Sequence, residues 1–391
     1  MIDGHVRHRI GGFALWLAGL ALACGAVGAA EVPPSSAPLS LYPLVLAIPL
    51  PPQAVVGSDQ RRHLTYEVLA TNLGAVPLKV QSIEVRADAG GATLLRHGES
   101  AIKAHMSALA DWQRGVDEIA PSATATIWLD VVLDAGASVP VELETTIAAV
   151  GAGPQGSGRS SVRVASDPRA PRVLRPPLQG AYWAAFEACC DAANHHRRGQ
   201  RAVDGRLRLP ERYAIDFVQL DAQGELHRGD GTRNEDYHSF GQPVLAVADA
   251  VVADVYTVQQ DRPPRQPLPP PTLPEAGGNH VILDLGGGVW AMYGHLKAGS
   301  VRVRAGDKVR AGQVLGAVGN NGNSDLPHLH FQLMDTRNFA LAQGMPFVFA
   351  NYDLVGRVDV DSERFVAEPK PLARQREMPL TLSVLNFAPS R

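Results

Sequence analysis

The stretch Gly319–Leu333, GNNGNSDLPHLHFQL, places two histidines two residues apart behind a leader rich in Gly, Asn and Pro. The residues from His328 onward are typical of a β-strand, in which residues i and i+2 face the same side about 6.6 Å apart. His328 and His330 therefore project together, into the core or into a cleft. One ring can ligate a metal ion while the other stands beside it, within reach of a water molecule on the metal.

The composition indicates an ordinary globular protein with two domains. The chain has 391 residues, of which 45% are hydrophobic and 19% charged, and it exceeds the usual size of a single core. The net charge of −3 and the absence of a basic stripe argue against a nucleic-acid partner. Beyond Cys24, the only cysteines are the adjacent Cys189 and Cys190, which can form a ring disulfide or simply pack. A zinc site built from cysteines is therefore not expected.

The N-terminus has the layout of a secretory signal peptide. Arg7 and Arg9 precede the apolar run GGFALWLAGLALACGAVGAA, and the chain turns polar at Glu31. We expect a signal peptide over residues 1–30, with no membrane span after cleavage. An uncleaved anchor helix and a lipoprotein acylated at Cys24 are the alternatives. The expected location is outside the cytoplasm, in the periplasm or the extracellular cell envelope.

Residues 31–166 are expected to form a β-sandwich. Four runs alternate apolar and polar residues with turns between them, at Leu64–Leu73, Leu78–Ala87, Thr124–Leu133 and Val139–Val150. A period of two with turns about every dozen residues predicts half-buried antiparallel strands. This half contains few candidate catalytic groups, so a spacer or a docking module is its simplest interpretation.

The second domain, residues 181–365, is expected to be an antiparallel β-sheet, so that the whole chain is mainly β. A Pro-rich linker at 167–180 precedes it, and residues 366–391 are expected to form a C-terminal tail. One stretch, AYWAAFEACC at Ala181–Cys190, predicts a short helix. Strands are predicted at Arg212–Leu220, Gly241–Tyr256, His280–Leu296, Ala311–Gly319 and His328–Met334.

Further polar groups of this domain are candidates to complete a metal site. Asp216 lies between apolar residues in YAIDFV, where an acid needs a partner such as a metal ion. His295 follows Gly294 at the end of a predicted strand, and His195 or His196 in NHHRRG would supply a third protein ligand. Each residue taken alone also fits a structural role, as a hydrogen-bonded histidine or a salt-bridged acid. Their joint occurrence favours a catalytic zinc ion, which usually takes three protein ligands from His, Asp and Glu and activates a water molecule.

These residues resemble the M23 family of zinc metallopeptidases, the LytM- and lysostaphin-like cell-wall endopeptidases. The similar stretches lie within residues 194–355 and are AIDFV, YHSFGQPVLAVADAVV, NHVILDLGGGVWAMYGHL, VRAGDKVRAGQVLGAVGNNGNS and PHLHFQL. The resemblance implies a compact antiparallel β core with a groove, a zinc cofactor and cleavage of peptide stems or bridges in peptidoglycan. It would assign zinc ligation to Asp216 and His330. His295 and His328 would stabilise or deprotonate groups at the reacting centre.

One position departs from the family pattern. The family usually has His-x-x-x-Asp for its first two ligands, but Arg212 stands four residues before Asp216, and a guanidinium cannot ligate zinc. Either His196, preferred over His195, supplies the ligand through a strand–turn–strand return, or the site is degenerate. The sequence therefore predicts an exported zinc endopeptidase acting on peptidoglycan cross-links or bridges. The alternative is a degenerate protein that binds the cell wall or activates another wall hydrolase.

Overall fold

Alternating apolar residues in the first half of the chain form strands that pack as two antiparallel sheets. The structure, a computed structural model, describes residues 41–388 except 89, 154–155, 269–274, 360 and 363. The expected signal peptide and Cys24 lie outside the described residues. The elements of this half are β1 Leu44–Ala47, β2 Ala54–Val56, β3 Arg62–Asn72, β4 Leu78–Ala87, β5 Thr93–Gly98, α1 Glu99–His105, β6 Met106–Ala108, β7 Glu118–Ile119, β8 Thr124–Leu133, β9 Glu142–Gly151 and β10 Ser157–Ala165.

The two sheets enclose one apolar core, as in a β-sandwich. One sheet has the order β1-β3-β8-β6 with β2 paired to β3, and the other has the order β10-β9-β4-β5 with β7 paired to β4. Leu64 and Tyr66 of β3 pack with Ile83 of β4 in this core. The strand β3 is not half-buried as predicted, because its polar residues Thr65 and Glu67 are buried as well. The second half of the chain covers that face.

The second half is built around one large antiparallel sheet. Its short helical turns are α2 His195–Arg198 and a 3₁₀ turn at Asn234–Asp236. Its strands are β11 Arg172–Leu174, β12 Gly180–Phe186, β13 Arg201–Val203, β14 Arg206–Arg208, β15 Ile215–Gln219, β16 Pro243–Leu245, β17 Ala250–Tyr256, β18 His280–Asp284, β19 Trp290–Gly294, β20 Lys308–Val309, β21 Val314–Ala317, β22 Leu329–Met334, β23 Gly344–Met345, β24 Phe347–Phe349, β25 Tyr352–Asp359, β26 Arg364–Arg374 and β27 Ser383–Phe387.

The large sheet has the order β20-β17-β18-β19-β22-β15-β12-β27-β25-β26, with β23 paired to β22. The strands β19, β22 and β15 are therefore neighbours in its middle. Phe217 of β15, Tyr293 of β19 and Phe331 of β22 pack in the core on one face. Side chains alternate along a strand, so Asp216 and His330 face the opposite side. The mainly β, antiparallel fold that the sequence predicts is confirmed.

Three segments outside the predicted strands also form sheet. Ala181–Cys190 is not a helix, because β12 pairs with β15 on one side and β27 on the other. The expected linker contains β11, which pairs with β24 in parallel. Residues 366–391, expected as a tail, supply β27 and most of β26 to the large sheet.

The described residues from Tyr42 onward form one compact unit. The adjacent Cys189 and Cys190 are joined by a disulfide. Among the described residues, no helix combines the length and the apolar character needed to cross a bilayer.

Candidate metal and catalytic site

Asp216 and His330 face each other across two neighbouring strands. The antiparallel register of β15 and β22 pairs Asp216 directly with His330. The Oδ1 atom of Asp216 lies 2.9 Å from Nδ1 of His330, and its Oδ2 atom lies 3.5 Å from Nε2 of His328. Both histidines are buried. The backbone ladder thus fixes an acid and two imidazoles at one point on the open face of the sheet.

The second nitrogen of His330 is held by a residue of the same strand. Its Nε2 lies 2.7 Å from Oε1 of Gln332, while Nε2 of Gln332 donates to the carbonyl of Pro210. The amide oxygen only accepts, so Nε2 of His330 donates and its Nδ1 faces the carboxylate of Asp216. Burial alone would lower the pKa of His330, but Asp216 outweighs it and raises the pKa to about 9.

His196 reaches the same carboxylate from the turn α2. The side chain of Asn194 accepts hydrogen bonds from the backbone N–H groups of His196 and Arg197. Nδ1 of His196 lies 2.8 Å from the carbonyl oxygen of Glu187 and donates to it. Its Nε2 is directed at Asp216 and lies 3.4 Å from Oδ2. The hairpin of β13 and β14 then leads the chain from this turn towards β15.

His195 lies next to His196 but is held differently. Its Nδ1 lies 3.1 Å from Oε2 of Glu187, and its side chain is 53% exposed. Burial would lower the pKa of His195, but the hydrogen bond and charge of Glu187 outweigh it and raise the pKa. A ligand atom of His195 still lies within 4.8 Å of those of His196 and Asp216. Of the two histidines, His196 is the one whose free nitrogen is directed at the carboxylate.

The donor set fits a zinc ion. In tetrahedral coordination, ligand atoms about 2.05 Å from zinc lie about 3.3 Å from one another. Nε2 of His196 lies 3.4 Å from Oδ2 of Asp216 and Nδ1 of His330 lies 2.9 Å from Oδ1, so the two imidazoles face different oxygens of one carboxylate. Each imidazole has its other nitrogen bonded to a fixed oxygen, which orients the ring as metal ligands require. Burial would raise the pKa of Asp216, but the surrounding histidines outweigh it and hold that pKa well below the ordinary value.

His295 and His328 lie beside this donor set, and a backbone carbonyl holds one nitrogen of each ring. Nδ1 of His295 donates to the carbonyl of Asn321, and Nδ1 of His328 donates to that of Leu326, each over 2.8 Å. The Nε2 atom of each ring is therefore the one without a proton in the neutral form. The two ring centres lie 4.6 Å apart. Burial, together with His328 and His330, holds the pKa of His295 well below its ordinary value.

The backbone at His295 has an uncommon conformation that two hydrogen bonds hold in place. His295 has φ +58°, a left-handed conformation that is uncommon for residues other than glycine. Its N–H donates to the carbonyl of Gly277, and its carbonyl accepts from Gly319. A Cβ atom on Gly294 would lie 3.3 Å from Cβ of His330. Glycine at this position therefore leaves room for the ring of His330.

The site opens into a cleft of about 310 Å³. Apolar side chains of Met292 and Phe339 line it together with Arg201 and Glu211. Nη2 of Arg201 lies 3.1 Å from Oε1 of Glu211, and both side chains are partly exposed. The cleft thus offers apolar surface and one ion pair to a bound molecule.

Arg212 does not enter the site. Its guanidinium forms an ion pair with Glu67 of the sandwich, and both side chains are buried. The position that the family pattern gives to a metal ligand therefore serves the contact between the two halves of the chain.

Several residues that hold the site were not predicted from the sequence. Gln332 had a signal, because it follows His330 by two residues and so faces the same side of β22. Glu187, Asn321 and Leu326 act through backbone carbonyls. A backbone carbonyl is present in every residue, so no side-chain pattern points to them.

Residues 235–341 match the model of peptidase family M23. A glycyl-glycine endopeptidase, ALE-1, from Staphylococcus capitis is 43% identical over 115 residues, which cover 29% of this chain and 27% of that protein. A DD-carboxypeptidase/endopeptidase, Mpg, from Neisseria meningitidis serogroup B is 34% identical over 112 residues, covering 27% of this chain and 24% of that protein.

An endolysin of Staphylococcus phage 2638A is 47% identical over 60 residues, covering 15% of this chain and 12% of that protein. The chain therefore spans about a quarter or less of the length of these relatives. Among solved structures, the catalytic domain of lysostaphin from Staphylococcus simulans is 24% identical with a TM-score of 0.23, covering 37% of this chain and 80% of that one. The matched region contains His295, His328 and His330, and through it this chain carries a peptidase family M23 domain.

Proposed function

We propose that the protein is an exported zinc-dependent endopeptidase that hydrolyses amide bonds in peptidoglycan cross-links or bridges. The observation that carries the proposal is the convergence of His196, Asp216 and His330, with two further imidazoles beside them. These three residues would hold the zinc ion. The match of residues 235–341 to peptidase family M23 supports the reaction class.

The chain's own residues have defined parts in this reaction. When bound, zinc supplies a Lewis acid that polarises the scissile carbonyl and makes water more acidic. His295 and His328 each present an Nε2 atom fixed by a hydrogen bond at Nδ1. One ring takes a proton from the attacking water at Nε2, and the other, when it carries protons on both nitrogens, donates a hydrogen bond from Nε2 to the oxygen that gains charge. Burial of both rings keeps competing water away from them.

The proposed substrate and location rest on other observations. Two relatives carry the names glycyl-glycine endopeptidase and DD-carboxypeptidase/endopeptidase, which favours peptide bridges or stems of peptidoglycan here. The apolar run after Arg9 favours export to the periplasm or the extracellular cell envelope.

The alternative is a degenerate protein that binds the wall or activates another hydrolase. The observation in its favour is Arg212 at the position where the family usually has a histidine ligand. This support is weak, because Arg212 pairs with Glu67 and His196 is directed at Asp216 from another segment.

The test is the zinc content of the purified chain, measured by elemental analysis after exposure to zinc, together with cleavage of peptidoglycan sacculi. We expect one zinc ion per chain, lost in His196→Ala and retained in the neighbouring control His195→Ala. Cleavage should follow the zinc content. Loss of zinc in His195→Ala alone would transfer the ligand role to His195. A zinc-free wild-type chain that cleaves no sacculi would refute the proposal in favour of the alternative.

A further inference from the structure

The turn that carries His196 has little regular structure of its own. The turn α2 comprises four residues, and the following strands β13 and β14 pair only with each other among the described residues. No strand of the large sheet therefore continues into this segment. Side-chain contacts therefore help to set the position of His196 relative to Asp216.

Those contacts come largely from the sandwich. The guanidinium of Arg197 donates to the backbone carbonyls of Tyr66 and Leu129, in β3 and β8. Nη2 of Arg198 donates to the carbonyl of Ala104 over 2.8 Å. Both arginines are buried, so these bonds are shielded from water. The two residues after His196 thus attach the turn to the sandwich.

Glu67 connects the turn α2 to the segment that leads into β15, the strand of Asp216. Oε1 of Glu67 lies 3.4 Å from Nε of Arg197, and Oε2 pairs with Arg212. Glu67 has no exposed surface, and a buried carboxylate is stable only when it is paired. Arg197 directly follows His196, and Arg212 lies four residues before Asp216. One carboxylate of the sandwich therefore contacts both segments that bring ligands to the site.

A second contact between the same segments supports this arrangement. Oγ1 of Thr126 in β8 donates to Oε1 of Gln200 over 3.0 Å, and both residues are buried. Trp128 of the same strand packs with Ala192 and Leu209 on either side of the turn. The outer face of the sandwich sheet is thus fitted to the segment around His196.

We propose that Glu67 is a positioning residue of the metal site, and that the sandwich sets the place of His196 through it. This inference rests on the proposed zinc site. Glu67 touches neither ligand; it acts through Arg197 and Arg212. The sandwich is then a working part of the peptidase, and neither a spacer nor a docking module.

The test compares Glu67→Gln with Thr145→Ala in the full chain. Thr145 is buried in the sandwich, and its hydroxyl shares a hydrogen bond with the hydroxyl of Tyr66 in the interior, so Thr145→Ala weakens the sandwich without removing a side chain that contacts residues 194–200. We expect Glu67→Gln to bind zinc about 10-fold more weakly in competition with a chelator. Thr145→Ala should bind zinc as the wild type does. Equal zinc affinity in all three proteins would overturn the proposal, as would an equal loss in both variants.

A second variant distinguishes loss of the Glu67 contact from misfolding. A second measurement tests the role of Glu67 even if the chain binds no zinc. Glu67→Gln/Arg212→Met removes one charge of each sign, so the net charge of the buried cluster is unchanged, and it should show the same weakened binding. Amide hydrogen exchange of residues 194–200 in the metal-free chain should be faster in both Glu67 variants and unchanged in Thr145→Ala. If the wild type binds no zinc, the proposed function fails but exchange still decides the role of Glu67. Unchanged exchange in the Glu67 variants would then overturn that role.

Discussion

The strand that carries His330 and the turn that carries His196 meet at one carboxylate, but different interactions hold them. β22 lies between β19 and β15, so backbone hydrogen bonds on both sides fix His330 opposite Asp216. The turn α2 relies on guanidinium groups that bond to carbonyls and to Glu67 in the sandwich. One side of the site is thus made by a sheet, and the other by the contact between the two halves of the chain.

These two kinds of contact differ in how easily they allow a ligand to move. A strand inside an 11-stranded sheet moves only if ladder hydrogen bonds break on both edges. The turn can shift when a single side chain changes. We therefore expect changes in the sandwich to reach the site through His196, and changes in the large sheet to reach it through His330.

The largest effect is expected from Gln332, the residue that orients His330 within the sheet. Gln332→Met keeps the volume but removes the acceptor of the Nε2–H group of His330. Loss of such an outer partner typically costs about 10- to 100-fold in metal affinity. Chelator competition on the purified variant measures this.

The control for Gln332 is Gln343, a glutamine nearby that bonds to the backbone of Leu207 and Leu209 and to no histidine. Gln343→Met should leave zinc affinity within about twofold of the wild type, since none of its bonds reaches a ligand. If both variants bind zinc equally well, Gln332 does not orient His330.

The two sides of the site also differ in how far the sequence predicts them. The period of two in HLHFQ indicates that His328 and His330 share a face, and the isolated acid in YAIDFV indicates a partner for Asp216. Both signals are local to one strand. Only the pairing of these strands, whose residues lie 114 positions apart, had to come from the fold.

The position of His196 is harder to predict from the sequence, because it depends on contacts with residues elsewhere in the chain. The choice between His195 and His196 depends on a carbonyl of Glu187 and on the cap at Asn194. Arg212 finds its partner 145 positions upstream, in Glu67. In the alternating pattern of β3, Glu67 looks like a solvent-exposed residue, because the sequence does not show which surface covers that face.

A smaller effect is expected at Gly294, which makes room for His330. A Cβ atom there would lie 3.3 Å from Cβ of His330 and 3.2 Å from the carbonyl of Gly277. Gly294→Ala should push the ring by a few tenths of an ångström and lower zinc affinity about 10-fold, as other disturbances of ligand orientation do. The free energy of unfolding should fall by about 1 kcal/mol.

Gly316 of β21 provides the matched control for Gly294, because a Cβ there would make ordinary contacts, the nearest 3.4 Å from Oγ of Ser300. Gly316→Ala should bind zinc normally. A Gly294→Ala protein with unaltered affinity would mean that β22 shifts freely, against the rigidity argued for the sheet.

The smallest effect that we expect is a pH dependence of the free energy of unfolding, caused by His63 in the sandwich. His63 lies on the same face of β3 as Glu67 and bonds through Nδ1 to Asp130 and through Nε2 to Asp59. Cys190, which also faces His63, is in a disulfide and does not titrate. Burial alone would lower the pKa of His63, but the two carboxylates outweigh it and raise the pKa to about 9 from 6.5.

A histidine whose pKa is higher in the folded state stabilises the fold fully below its unfolded pKa and loses that contribution as the pH rises through the folded one. The free energy of unfolding should therefore fall between pH 6.5 and about 9, by on the order of 2 kcal/mol. Urea unfolding at the two ends of this range measures it. In His63→Gln the fall should disappear, whereas an equal fall in that variant would assign the pH dependence to other groups. Because both carboxylate partners of His63 belong to the sandwich, we assign this loss of stability to ion pairs within the sandwich.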